Sequence, residues 1–453
     1  MAFTDILRQY FAWASQISDT VITWYLDNSR TIVDWMHTAF NNVFIILLYI
    51  GIGLSLLYIT LSFISAWYRN RDFAPITDEE APQLTVHIPT RNELAALDCA
   101  EHCLNADYPT SKLEIIIGDD SDKPEVTKQI QAFADKHDIV KVAARDNNVG
   151  YKPGNLNNML TVTNGEYITV FDSDFKPGKD FLRRLVTPMV RDESIHATQG
   201  RWEPYNAYQN YTTALGTTIT DVFDYVALPF VDRLLNTVVL RGSAECVRRK
   251  TLESLGEWKS GSFTEDIEFS MRLLKEGYNI HWVPSAKCPM ELPFVPNDLY
   301  KQQMRWAYGV VTSWITHGKD LFTNLISMDT DRRPVAGMTM ATILLLGYIL
   351  STVLFGLVIF GTLSFITHPA GPLDLPRFLS ETVTNILLTS GLIVITGIGM
   401  YRAGRLRLYP KSLASMFTLG IITTYYVNKG IYRAMTNKDM EWFLLSKSGN
   451  QQE

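Results

Sequence analysis

Long uncharged runs and short acid-tipped apolar runs divide the chain. Residues 44–67 read FIILLYIGIGLSLLYITLSFISAW, residues 337–367 read GMTMATILLLGYILSTVLFGLVIFGTLSFIT, and residues 382–401 form a third run without charge. About 20 apolar residues suffice to cross the hydrocarbon of a bilayer, so each run predicts a transmembrane helix. Between the first and second the pattern changes. Residues 83–93 (QLTVHIPTRNE), 113–122 (LEIIIGDDSD) and 167–175 (YITVFDSDF) are short apolar stretches of buried-strand type, and each runs into polar or acidic residues. The apolar spacing over 94–103 is helical, as is that of IEFSMRLLKEG from Ile267.

Strands alternating with helices predict a doubly wound α/β domain on a parallel sheet. Ligands of such sheets gather beyond the carboxyl ends of the strands. The acids that close the apolar runs are therefore expected at one site.

Composition adds a membrane protein to this picture. The chain has 453 residues, 47% of them hydrophobic and only 19% charged, and its net charge of −6 argues against a nucleic-acid partner. No cleavable leader is evident, since the first forty or so residues lack a basic start followed by a compact apolar centre. They carry Trp13, Trp24 and Trp35 among scattered polar groups and read as an amphipathic lead-in, 1–43, lying in the interface before a span at 44–68. Arg69, Arg71, Arg332, Arg333, Arg402, Arg405, Arg407 and Lys411 flank the uncharged runs. By the positive-inside rule they and the central domain, 80–297, face the cytoplasm, which makes a multi-pass protein of the plasma or inner membrane. Residues 298–335 are expected as an interfacial helix, 337–367 and 382–402 as spans, 412–433 as an interfacial or spanning helix, and 434–453 as a cytoplasmic tail. Cys99, Cys103, Cys246 and Cys288 have no histidine or cysteine partners at zinc spacing and read as buried free thiols.

Three acidic clusters carry the candidate chemistry. Asp119 and Asp120 close the second apolar run, Asp172-Ser-Asp174 the third, and Thr264-Glu265-Asp266 opens a helix. A diphosphate-bearing substrate needs a hard divalent cation such as Mg²⁺ or Mn²⁺, which takes carboxylate oxygens, and an Asp-x-Asp pair at a strand end suits it. The plainer explanation for any one cluster is a capping or loop acid on a solvated rim. Three clusters at element boundaries of one domain favour a site. Asp266 is the candidate general base, with Glu265 beside it raising its pKa and the helix starting there opposing the rise. A nucleophile paired with histidine finds no support, since His281 is the only histidine between Asp266 and Arg305. KQQMRW, with Gln302, Arg305 and Trp306, allows either an interfacial anchor or a grip on phosphate and sugar.

IPTRNE, GDDSDKPE, NNVGYKPGNLNNML, FDSD, QGRWEPYN, TEDIEFSMRLLKEGY and QQMRW, in this order, resemble the membrane-embedded, processive family 2 glycosyltransferases. Cellulose, hyaluronan, chitin and mannan synthases belong to that group, and the chain is most similar to the cellulose-synthase-like mannan synthases. The resemblance covers residues 80 to 320 and implies a GT-A (doubly wound, nucleotide-diphospho-sugar transferase type) cytoplasmic domain inserted between transmembrane and interfacial helices. It implies that Thr90, Glu93, Asp119 and Asp120 border the nucleotide base, that Lys152 meets the diphosphate, and that Asp172 and Asp174 hold donor and metal. It also implies Asp266 as the base, Gln302 and Arg305 at the leaving diphosphate, and Trp306 stacked on the acceptor's terminal sugar. In the tail, EWFLLSKSG resembles the family's donor-closing segment, with Trp442, Lys447 and Gly449 in place and Leu445 where a threonine is expected.

The function so implied is an inverting, processive β-glycosyltransferase that polymerises a hexose from UDP-glucose or GDP-mannose onto a growing glycan. The spans are few for a secreting channel, so copies associating as a homo-oligomer, or transfer of one sugar to a lipid phosphate or glycolipid, stay open. An inactive transferase-like scaffold is the remaining alternative.

Overall fold

The computed structural model describes residues 3–67, 71–326, 333–368, 374–443 and 445–447. Arg69, Arg332 and Gly449 lie outside the described residues. The chain divides into two compact units, residues 1–56 with 352–391 and residues 57–351 with 392–453.

The second unit is built on one seven-stranded sheet. Its strands are β1 (Leu84–Thr90), β2 (Leu113–Asp119), β3 (Val140–Ala144), β4 (Tyr167–Val170), β5 (Ile195–Pro204), β6 (Glu245–Arg248) and β7 (Asn279–Met290), in the spatial order β3-β2-β1-β4-β6-β5-β7. The sheet is mixed, which corrects the expectation of a parallel one. β1, β2, β3 and β4 run parallel, whereas β6 lies antiparallel to both β4 and β5. The four residues ECVR carry too little apolar signal to announce that strand in the sequence.

The continuous apolar runs have their reason in two buried faces. Ile115 and Ile117 join Val86, Ile88, Cys99 and Cys103 in one layer, while Ile116 turns to the other with Leu156, Met159, Ile168, Phe269 and Trp282. All four cysteines are buried and free, as their spacing suggested. In register, Thr90 at the end of β1 stands level with Asp119 at the end of β2. The acids that follow β2 and β4 therefore leave the sheet at the same edge.

The helix Pro296–Ile326, which carries Gln302, Arg305 and Trp306, comes against this edge at Gly309. A side chain there would stand 2.5 Å from Thr264, so only glycine permits this approach. The helices Tyr409–Met416 and Leu419–Met435 complete the unit; Ser415 Oγ donates to the Tyr211 carbonyl at 2.9 Å.

The apolar runs are helical, with two departures from expectation. Lead-in and first span form one continuous helix, Phe3–Ala66, with no break near residue 43. The third run is interrupted, because Leu375–Leu388 and Gly391–Arg402 are separate helices. Two helices, Gln9–Ala66 and Gly337–Ile366, are long and apolar enough to cross a membrane, or up to three if the interrupted pair counts as one span; Leu419–Met435 does not qualify among the described residues.

Candidate active site

A cavity of about 190 Å³ opens where β1, β2 and β4 end. Thr90, Glu93, Asp120, Lys152, Asp172, Asp174, Glu265, Asp266, Gln302, Arg305, Trp306 and Lys447 all line it. Asp119 is the expected site residue that does not. Its Oδ1 accepts the Ser121 amide at 2.9 Å, and its Oδ2 is buried without a hydrogen-bond partner among the described residues. Asp119 thus shapes the turn after β2, while Asp120 faces the cavity.

At one end, the carboxylates are closely paired with cations. Asp120 takes Arg145 in a two-pronged ion pair, with Nε donating to Oδ1 at 2.7 Å and Nη2 donating to Oδ2. Burial pushes the Asp120 carboxyl up, and Arg145 holds against that rise. Thr90 Oγ1 donates to the Glu93 carbonyl at 3.0 Å, which fixes the loop after β1. Glu93 in turn accepts Lys447 Nζ at 2.8 Å, and Ser173 Oγ donates to the same carboxylate.

Asp172 and Asp174 form the middle of the site. Lys152 Nζ lies 2.7 Å from Asp172, and Lys447 Nζ lies 2.9 Å from Asp174. Two lysines from distant parts of the chain therefore already place positive charge on this pair. Among the described residues, no group of three or more His, Cys, Asp or Glu side chains is arranged to hold a metal by itself. The donor set nonetheless fits a hard divalent ion that draws its remaining ligands from phosphate oxygens and water.

The other end is unbalanced. The helix Glu265–Lys275 begins here, with Thr264 before it and Asp266 in its first turn. Lys152 reaches Glu265 at 3.0 Å and donates to the Gly242 carbonyl at 2.6 Å, so one ammonium serves two carboxylates and a carbonyl. Burial alone would push that ammonium down, but Asp172 and Glu265 outweigh it and the pKa rises. The Asp266 carboxyl is pushed up to about 7, by burial first and by Glu265 second, while Lys152, the Ile267 amide and Arg305 pull it down. Sequence reasoning anticipated the like-charge and helix contributions and missed the larger one, desolvation.

Arg305 Nη1 donates to the Phe263 carbonyl at 3.0 Å, and its guanidinium lies 4.5 Å from the centre of the Trp442 ring. Trp442 stacks on Tyr151, with ring centres 5.6 Å apart and planes 15° apart. Trp306 is half-buried, lines the cavity and leans on Trp202 at 6.4 Å. In the tail, Leu445 and Ser446 line the cavity beside Lys447, and the Ser446 amide donates to Asp298 at 2.9 Å.

Besides Arg145, three contributors escaped the sequence reading. Arg241 and Gly242 form one wall, with the Arg241 guanidinium 3.8 Å from the Trp202 ring centre and paired with Asp224 at 2.5 Å. Glu245, buried on β6, accepts the backbone amides of that wall. Its only sequence signal is an acid directly after Gly-Ser-Ala and before an apolar pair.

A mixed sheet whose strand-end acids face a cavity shared with QxxRW defines a sugar-nucleotide transferase domain of the GT-A type. Residues 167–397 match the model of glycosyl transferase family group 2, and the chain belongs to that family. Among its relatives, a probable glycosyltransferase of Bacillus subtilis, YdaM, is 29% identical over 234 residues, covering 51% of this chain and 56% of its own length. Glucomannan 4-beta-mannosyltransferase 2 of Arabidopsis thaliana is 29% identical over 252 residues, covering 52% of this chain and 47% of its own. The beta-monoglucosyldiacylglycerol synthase of Trichormus variabilis is 29% identical over 243 residues, covering 53% and 52%. The chain thus spans about half the length of the curated relatives it matches. In fold it is similar to the mannosyltransferase PcManGT from Pyrobaculum calidifontis, solved with GDP-Man and Mn²⁺, at a TM-score of 0.61 and 18% identity over 88% of this chain and 100% of that one.

Proposed function

We propose that this protein moves a hexose from a nucleotide diphosphate donor, UDP-glucose or GDP-mannose, to an acceptor hydroxyl at a membrane, with inversion at the anomeric carbon. The observation that carries the reading is the convergence of Asp120, Asp172, Asp174, Asp266, Arg305 and Trp306 on one cavity. Asp266 removes the proton of the acceptor hydroxyl, the acceptor oxygen bonds to the anomeric carbon, and the bond to the diphosphate oxygen breaks on the opposite side. Lys152 and Arg305 face the charge that collects on the departing diphosphate. Thr90, Glu93 and Asp120 border the base, and Lys447 guards the pair Asp172 and Asp174 until donor arrives. Mg²⁺ or Mn²⁺ bound at that pair would neutralise phosphate charge.

Asp119 keeps its expected part only indirectly, through the turn that presents Asp120. Trp306 offers an aromatic face to the acceptor's sugar ring, which suits repeated addition to a growing glycan. A second reading, transfer of a single hexose to a glycolipid, gains weight from the two or at most three helices long and apolar enough to cross a membrane among the described residues, and from the relative named beta-monoglucosyldiacylglycerol synthase. In both, the chain is a multi-pass protein of the plasma or inner membrane with its catalytic domain in the cytoplasm, working alone or as a homo-oligomer.

Full-length protein in lipid nanodiscs, given labelled UDP-glucose or GDP-mannose with Mn²⁺ and a lipid extract, tests the reading. Label in a high-mass glycan cut by a linkage-specific glycosidase supports polymerisation; label in the organic phase supports the second reading. Intact donor in every reaction would refute both.

A further inference from the structure

Glu245 belongs to none of the three acidic clusters and is 1% exposed. One carboxylate oxygen, Oε2, accepts the backbone amides of Arg241 at 3.0 Å and Gly242 at 2.7 Å. Gly242 has φ +80°, a conformation that side chains rarely adopt. A Cβ there would stand 3.3 Å from Asp266 Oδ2 and 3.4 Å from Lys152 Nζ, so a side chain at this position would press on both groups. Gly242 is held at both of its backbone polar groups, its N–H by Glu245 and its carbonyl by Lys152 at 2.6 Å.

We infer that Glu245 is a positioning residue of the transfer site: its carboxyl fixes the Arg241–Gly242 turn, and the turn's carbonyl aims the Lys152 ammonium between Asp172 and Glu265. Without that carbonyl, the ammonium would have only the two carboxylates, and nothing would set its position along the line between them. Burial first, and then Asp266, push the Glu245 carboxyl up to about 8. That rise favours the neutral acid, of which glutamine is a close isostere. The same turn carries Arg241, whose guanidinium lies 3.8 Å from the Trp202 ring centre.

What Lys152 does rests on the transferase reading, but where it is held does not, and the test separates the two. Full-length protein in detergent is labelled with acetic anhydride, and acetylation of Lys152 is followed by mass spectrometry. Glu245→Ala should acetylate Lys152 several-fold faster than the parent at an unchanged melting temperature, and Glu245→Gln should restore most of the protection. Glu245→Asp, which withdraws the carboxyl by one methylene, should fall between them and keeps the question decidable if the alanine variant does not fold. Release of nucleoside diphosphate should follow the same order, with kcat falling by about a hundredfold in Glu245→Ala and KM for donor nearly constant. Unchanged Lys152 acetylation in Glu245→Ala and Glu245→Asp, or equal damage by Ala and Gln, would overturn the inference. A parent protein that releases no nucleoside diphosphate would count against the transferase reading alone, because the labelling still decides where Lys152 is held.

Discussion

The two ends of the cavity solve the problem of buried charge in opposite ways. At the end formed by Asp120 and Glu93, Arg145 pairs with Asp120, and Lys447 pairs with Glu93 while also reaching Asp174, so two cations face three carboxylates. At the end formed by Glu245, Glu265 and Asp266, three carboxylates gather around Lys152, whose ammonium is already committed to Asp172 as well. A matched pair rigidifies, because neither partner can titrate without exposing the other. An under-neutralised cluster keeps a carboxyl near neutral pKa, where a general base works best at neutral pH. The first end is built to hold, the second to react.

Replacing the reacting group should give the largest effect. Asp266→Asn is expected to lower the rate of transfer by about a thousandfold, in the range that loss of a general base produces, while binding of UDP or GDP with Mn²⁺ stays close to the parent's in calorimetry. Near-parental activity would remove Asp266 as the base. The holding end should fail differently. Arg145→Ala strands a buried carboxylate and should cost on the order of 2 kcal/mol of stability, softened because Asp120 can take up a proton. It should show as a lower apparent melting temperature and weaker nucleotide binding. A variant with parental stability and impaired turnover would erase the distinction between the ends.

The holding end was far more legible in the sequence. β2 and β4 are apolar runs that stop at acids, so the fold rule for strand ends brings Asp120, Asp172 and Asp174 together without coordinates. Asp119 could not be told from Asp120, since only the turn geometry decides which of two neighbours faces the cavity. The reacting end depends on β6, whose four residues pair antiparallel between β4 and β5, and no periodicity of that length is readable. Glu245 enters the site through that pairing alone. Desolvation of Asp266 was equally hidden, because burial is a property of the packed fold, in which helix Pro296–Ile326 meets Thr264, two residues before the acid, at Gly309. Outside the sheet, hydropathy found the apolar runs but not the continuity of Phe3–Ala66 or the interruption at Thr389 and Ser390.

Trp306 tests a third element of the comparison, the acceptor, which neither end holds. Trp306→Ala should lower transfer to acceptor by about tenfold or more, as removal of a stacking face from a bound ring would, and leave hydrolysis of donor by water nearly intact. Equal losses in both would make the tryptophan a support for its neighbour Trp202 and for the core against which it packs.

The smallest expected effect is the most diagnostic of charge imbalance. The carboxylate form of Asp266 is the active one, so kcat/KM should rise with pH through an ionisation near 7 rather than near the ordinary aspartate value. Glu265→Gln removes the second cause of that elevation and leaves the first, burial, in place. It also frees Lys152 to interact more strongly with the acids that remain, which favours the ionised base. Both changes act in the same direction. The rising limb of the profile should therefore move to lower pH by about a unit while the plateau falls little. A limb that stays near 7 would assign the elevation to desolvation alone, and a limb that moves upward would mean that Glu265 stabilises the ionised base through Lys152 more than it repels it.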